Sequence, residues 1–399
     1  MTPAGPVRLT YCTNIHKGIT WPEVRTYLER DVPRVKALFS PDAAFGVGLR
    51  LAADATEDLQ AAAAFEDLQD LLRRHALYVF TINGFPYGPF HGVRVKEEVY
   101  QPDWSRPERL VYTNQLADLL ARLLPDEPGL VGSISTVPGT FRPLAAQPRS
   151  VDFIVRHLLE HAAHLVRLHE RTGKTIALAL EPEPMCMLET IEETAAFFEA
   201  HLFSAEAART LVSLTGLGKV AAEEALRRHL GVCYDVCHAA VEFEDAALSI
   251  ARLRAAGITV PKLQLSAALR MPEMSPDLAA WLWRFDDGVY LHQVVQRADQ
   301  RYERFLDLPE ALAAYARDGG APEWRVHCHV PVFLAEAGIA ATTQPFLAEI
   351  LALHRAAPIS PHLEVETYTW DVLPAALRDE DVTVAIAREL AWCRDRLAA

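Results

Sequence analysis

Short apolar runs rich in β-formers alternate with longer amphipathic stretches along almost the whole chain, and they do so eight times. The runs cover residues 7–13, 45–51, 76–83, 130–136, 175–181, 231–235, 261–266 and 362–367. Parallel strands need a crossover between neighbours, so strand followed by helix, eight times over, predicts an α/β fold of the (β/α)8 TIM-barrel type. Several runs, such as Ile176 to Leu180, are apolar throughout, as expected of strands buried on both faces. Residues 151–171 read as a helix, with Ser150 as its N-cap and Gly173 just past its end. No internal repeat or Pro/Gly/Ser linker divides the sequence, so residues 1–399 are read as one barrel domain.

Two spacings break the rhythm. About fifty residues separate the fifth and sixth strands, room for two helices near 191–201 and 221–229. About a hundred separate the seventh and eighth, with strand-like runs at 289–295 and 325–333. This insertion, about 268–345, reads as an elaborated loop on the catalytic face, with a further barrel strand as the alternative.

Composition narrows the function. The formal net charge of −14 argues against a phosphate backbone as partner, leaving a small metabolite and no nucleic acid. No apolar run approaches the ~18 residues that suggest a membrane span, and the first residues do not resemble a signal peptide. The six cysteines lack paired spacing, which points to reduced thiols in a cytoplasm.

Functional groups of such barrels come from the C-terminal ends of strands. The fifth run ends in Glu181-Pro182-Glu183, the sixth in Asp235-Val236-Cys237-His238, the seventh contains Gln264, and the eighth reads His362-Leu363-Glu364-Val365-Glu366. Buried carboxylates are expensive unless paired or bound to a metal, and carboxylates converging on one axis need a cation between them. Glu181, Asp235, Gln264 and Glu366 are therefore candidate ligands of one divalent metal, Mn2+, Mg2+, Co2+ or Zn2+. Glu183 and Glu364 share the faces of Glu181 and Glu366, so either can replace its neighbour. A lone carboxylate at any of these positions would read as a salt bridge to a helix.

These strand ends resemble the xylose-isomerase-like barrels. That resemblance implies metal ligands after strands five to eight, which fall on the same four residues, and the spacing of Asp235 and His238 matches a common pattern there. Longer stretches, among them LTYCTNIH, TINGFPYGPFHG, GVCYDVCHAAVEFED, WRVHCHVPVF and HLEVETYTWDVLP, resemble the EboE family of metabolite-traffic proteins. The resemblance implies a role in moving a small metabolite towards the periplasm, with other proteins of the same gene cluster as partners, and leaves the reaction undefined. Isomerase, epimerase or dehydratase chemistry is the enzymatic reading; binding and hand-over without turnover is the alternative.

Around the metal, Asn83, Tyr87, His91 and Lys96 read as a substrate wall, with His292, Glu364 and Trp370 as further contacts. Asn14 follows the first strand and reaches toward the same mouth, whereas His16 reads as a surface residue. His238, His327, His329 and Glu183 are the candidate catalytic groups; His327 and His329 share one face of an extended segment because side chains alternate. His157, His161, His164 and His169 lie on one helix and read as exterior packing.

Overall fold

The computed structural model describes residues 7–398 apart from 90–93, 95, 287, 300, 375–377 and 379. The first seven strands are β1 (Arg8–Tyr11), β2 (Phe45–Arg50), β3 (Leu77–Asn83), β4 (Val131–Thr136), β5 (Thr175–Leu180), β6 (Leu230–Asp235) and β7 (Thr259–Leu265). Six strands of the insertion follow: β8 (Leu269–Met271), β9 (Val294–Ala298), β10 (Arg301–Phe305), β11 (Glu323–Val326), β12 (Glu336–Ala337) and β13 (Ala340–Thr342). The last is β14 (His362–Val365). Strands β1 to β7 and β14 form one parallel sheet in the order β1-β14-β7-β6-β5-β4-β3-β2. The seam between β1 and β2 is held by a bridge from Cys12 to Gly48. The Thr10 hydroxyl reinforces it, donating to Gly46 O (2.6 Å) and accepting from Gly48 N (3.2 Å). The result is a nearly closed TIM barrel.

Its interior departs from the usual apolar filling. Along β7 and β14 the side chains alternate, and Lys262, Gln264, His362 and Glu364 face the axis. Low in the barrel, Ser133 on β4 bonds across to His362 (2.8 Å) and to Thr81 (2.8 Å). One level up, Lys262 and Glu364 form an ion pair (2.5 Å), with Ser135 beside the ammonium (3.3 Å). A Cβ on Gly48 would sit 1.9 Å from Glu364 Oε1, so only glycine leaves room for this pair. The metal-candidate residues form the next level.

The fifty-residue gap holds three helical segments where the spacing predicts two. The segment at Ile191–Phe197 continues through Phe198–Leu202, and Lys219–His229 precedes β6. Between them Ala205–Thr215 is capped by Ser204, whose side chain accepts from Ala207 N, and it ends at Gly216 (φ +78°). Ser150 is the first residue of its helix rather than its cap, and Gly173 ends that helix at φ +69°.

The insertion makes a six-stranded sheet, order β10-β9-β11-β8-β13-β12, in which every neighbouring pair is antiparallel. The runs near 289–295 and 325–333 thus supply β9 and β11 of this sheet and no barrel strand. After β11 the chain returns to the barrel mouth, with His327 N donating to Gln293 O (2.8 Å) and Val330 N to Ala267 O (2.9 Å). No helix among the described residues is long and apolar enough to cross a membrane.

Candidate metal centre

Glu181 directly follows β5, Asp235 ends β6, and Glu366 lies one residue past β14. Carboxylate oxygens of the three lie within 4.8 Å of one another, and all three side chains are buried. Glu366 Oε1 accepts from Asn14 (2.6 Å) and Asn83 (3.1 Å), and its Oε2 from Gln264 Nε2 (2.7 Å). Asp235 Oδ1 accepts from Ser266 (2.7 Å) and from His238 N (3.0 Å), capping the short helix Val236–Val241. Glu181 Oε2 and Asp235 Oδ2 are buried without a hydrogen-bond partner among the described residues. Burial and the facing carboxylates push Glu181 and Glu366 well above the ordinary carboxylate range. Burial acts on Asp235 in the same direction, but His238, His329 and its hydrogen bonds hold it below that range.

Two orphaned carboxyl oxygens facing a third carboxyl group are what a divalent cation satisfies, so the donor set fits a hard metal ion. Gln264 sits at the same level with its amide engaged: Nε2 donates to Glu366, and Oε1 accepts from the Cys233 thiol (2.9 Å). Glu364, considered as a substitute for Glu366, lies below, on Lys262.

The cleft above holds about 530 Å3, including its open mouth, and its lining includes Asn14, Asn83, Lys96, Glu181, Glu183, His238, His327 and Glu366. Lys96 stands at its edge in an ion pair with Asp307. Glu183 accepts from Tyr100 OH (2.9 Å), and burial raises it to about 8 against that hydrogen bond. Gln293 fixes two of these groups, donating to Tyr100 OH (2.9 Å) and accepting from His327 Nδ1 (2.8 Å).

Other sequence candidates lie elsewhere. Tyr87 packs edge-on against Tyr112 (5.0 Å), beneath Arg109. Trp370 is buried in the short turn Tyr368–Val372. His292 supports the site from behind, its Nδ1 on His327 O (3.2 Å). His91 falls outside the described residues. His16 is not a surface group: it is buried, bonded to Tyr11 OH (3.0 Å) and stacked on Tyr27. The helix histidines bond to neighbours, for example His157 to Trp104 O (2.8 Å) and His161 to Asn114 (2.6 Å). Sequence reasoning misses Tyr100, Gln293 and Lys262; for Lys262 the signal is the same alternation that exposes Gln264.

Behind the site, Glu389 on the C-terminal helix accepts from Thr367 (2.7 Å) and Val332 N (3.0 Å), tying β14 to the insertion. Burial lifts it from 4.5 to about 7. Because the folded value exceeds the unfolded one, its contribution is fully present below pH 4.5 and is lost as pH rises through 7. Glu389→Gln is therefore expected to stabilise the protein by about 3 kcal/mol at pH 8 and to be nearly neutral at pH 4. Denaturant titration at the two pH values checks this; equal effects at both would refute the assignment.

No family model and no curated protein matches this chain by sequence. Among solved structures, it is similar to a xylose isomerase-like TIM barrel protein from Mycobacterium smegmatis in complex with magnesium. That match is 10% identical with a TM-score of 0.50, covering 98% of this chain and 96% of that one. A 3-keto-D-glucoside 4-epimerase from E. coli is 15% identical, with a TM-score of 0.45 over 98% and 99% of the chains. An IOLI protein with a bound zinc atom is 14% identical, with a TM-score of 0.44 over 98% of each. The fold is xylose-isomerase-like. These comparisons do not confirm the metabolite-traffic family.

Proposed function

We propose that this protein is a divalent-metal-dependent enzyme of the isomerase or epimerase type acting on a small oxygenated metabolite. The observation that carries the reading is the buried group of Glu181, Asp235 and Glu366 on the cleft floor, with two oxygens lacking a hydrogen-bond partner among the described residues. The magnesium named for the neighbour from Mycobacterium smegmatis supports a metal here. Glu181, Asp235 and Glu366 would hold the ion, with Gln264 completing or orienting the set. A bound divalent ion would polarise a substrate carbonyl or hydroxyl and stabilise the enediolate left by proton removal.

The chain's own residues supply the rest. Glu183 lines the cleft, and a carboxyl raised toward neutrality is suited to accept a proton from carbon and return it. Tyr100 fixes that carboxyl through its hydroxyl. Asn83 and Lys96, which line the cleft, would hold substrate oxygens. The sequence resemblance adds a setting: a metabolite destined for the periplasm, processed in the cytoplasm alongside proteins of the same gene cluster. All six cysteines are buried and none is in a disulfide, which suits that reducing compartment.

The test works with the substrate still unidentified. Metal-loaded protein incubated with a small-molecule extract in D2O should place deuterium on carbon in one or a few hydroxycarbonyl compounds. Mass spectrometry reads the label, and Glu183→Gln should abolish it while metal content persists. Absence of protein-dependent labelling with the metal bound would overturn the enzymatic reading in favour of binding without turnover.

A further inference from the structure

Beside the oxygen-rich group lies a second cluster. The Nε2 atom of His327 is 3.1 Å from that of His238 and 3.3 Å from that of His329. All three rings are buried. Each Nδ1 faces an oxygen: His238 on Pro182 O (3.0 Å), His329 on Glu366 O (2.8 Å), His327 on Gln293 Oε1 (2.8 Å). A peptide carbonyl can only accept, so the first two rings must donate from Nδ1. The Gln293 amide is oriented by its own contacts, since its Nε2 faces Pro184 O (3.3 Å), another obligate acceptor. His327 therefore also donates from Nδ1. A neutral imidazole has one donor and one acceptor nitrogen, so all three Nε2 atoms carry bare lone pairs.

Lone pairs at such distances repel unless something positive stands between them. Two nitrogens on one tetrahedral zinc, each about 2.0–2.1 Å from the metal, are about 3.3 Å apart. An oxygen donor is also at hand. Asp235 has a carboxylate oxygen within 4.8 Å of ligand nitrogens of His238 and His329, and its Oδ2 is buried without a hydrogen-bond partner among the described residues. Glu183 is equally near His238 and His327, but its Oε1 is already engaged by Tyr100.

We infer that the protein has a second metal site, centred on His327 Nε2 and drawing on His238, His329 and Asp235, that takes a zinc-like ion. Imidazole-rich donors select zinc over the hard cations that suit the all-oxygen group, so the two sites differ in preference. Asp235 belongs to both groups and joins them into one dinuclear centre. The inference rests on the proposed oxygen-bound metal only through that shared carboxylate.

Metal-stripped protein dialysed against zinc should hold two ions per chain by elemental analysis. His327→Ala should hold one, and so should Glu181→Gln, which keeps the histidine-bound ion. Cobalt(II) gives an independent readout, because a nitrogen-rich tetrahedral site absorbs strongly in the visible and an all-oxygen octahedral site weakly. That band should appear in the wild type and in Glu181→Gln and be absent from His327→Ala. If His327→Ala fails to fold by circular dichroism, His329→Gln and the wild-type cobalt spectrum decide. One zinc per chain in the wild type, unchanged in the histidine variants, or a weak cobalt band alone, overturns the second site and leaves the proposed function standing. No bound metal at all overturns both.

Discussion

Lys262→Met is expected to destabilise the protein by about 3–5 kcal/mol, because it leaves the Glu364 carboxyl deep in the barrel without its cation. Both side chains are fully buried and 2.5 Å apart. Burial alone would lower the lysine, yet Glu364 opposite holds it above its ordinary range. Glu364 itself remains raised, since burial outweighs what one ammonium returns. The pair is thus mutually dependent rather than independently favourable. Glu364→Gln added to Lys262→Met should recover most of the loss, since it removes the uncompensated charge that the single variant creates. Denaturant unfolding of the two singles and the double measures the coupling, and strictly additive effects would show that the ion pair is not what holds this level together.

That pair also shows where the sequence is readable and where it stops. The alternation Lys262-Leu263-Gln264 and His362-Leu363-Glu364-Val365-Glu366 reveals which residues face the axis, since period two is local. It does not reveal height along the barrel. Glu364 and Glu366 look equivalent in the sequence. They are separated by what lies opposite, an ammonium for one and two asparagines with a glutamine for the other. The convergence of His327 and His329 on one face follows from the same alternation, but their meeting with His238 depends on how the insertion folds back. His16 reads wrongly as a surface residue because its partners Tyr11 and Tyr27 enclose it through tertiary packing. The unexpected helix Ala205–Thr215 does carry a local signal, with Ser204 as cap and Gly216 beyond its end.

Glu181→Gln is expected to reverse the order of stability between metal-free and metal-loaded protein. Without metal, Glu181 is a buried carboxyl beside Glu366 and Asp235, and both burial and those neighbours disfavour its charge. A neutral amide of the same shape removes that repulsion, so the metal-free variant should be at least as stable as metal-free wild type at pH 8. With Mn2+ at about a thousand times the dissociation constant, wild type should gain about 4 kcal/mol by mass action. The variant, having lost one of three anionic donors to the oxygen site, should gain far less from this hard cation. The contrast separates a metal centre from a structural carboxylate cluster. In the cluster, removing one charge would have the same effect with and without the ion. Thermal unfolding of both proteins in chelator and in Mn2+ gives the four numbers needed. Equal responses to Mn2+ would exclude Glu181 as a ligand and leave its buried, unpartnered oxygen without a role.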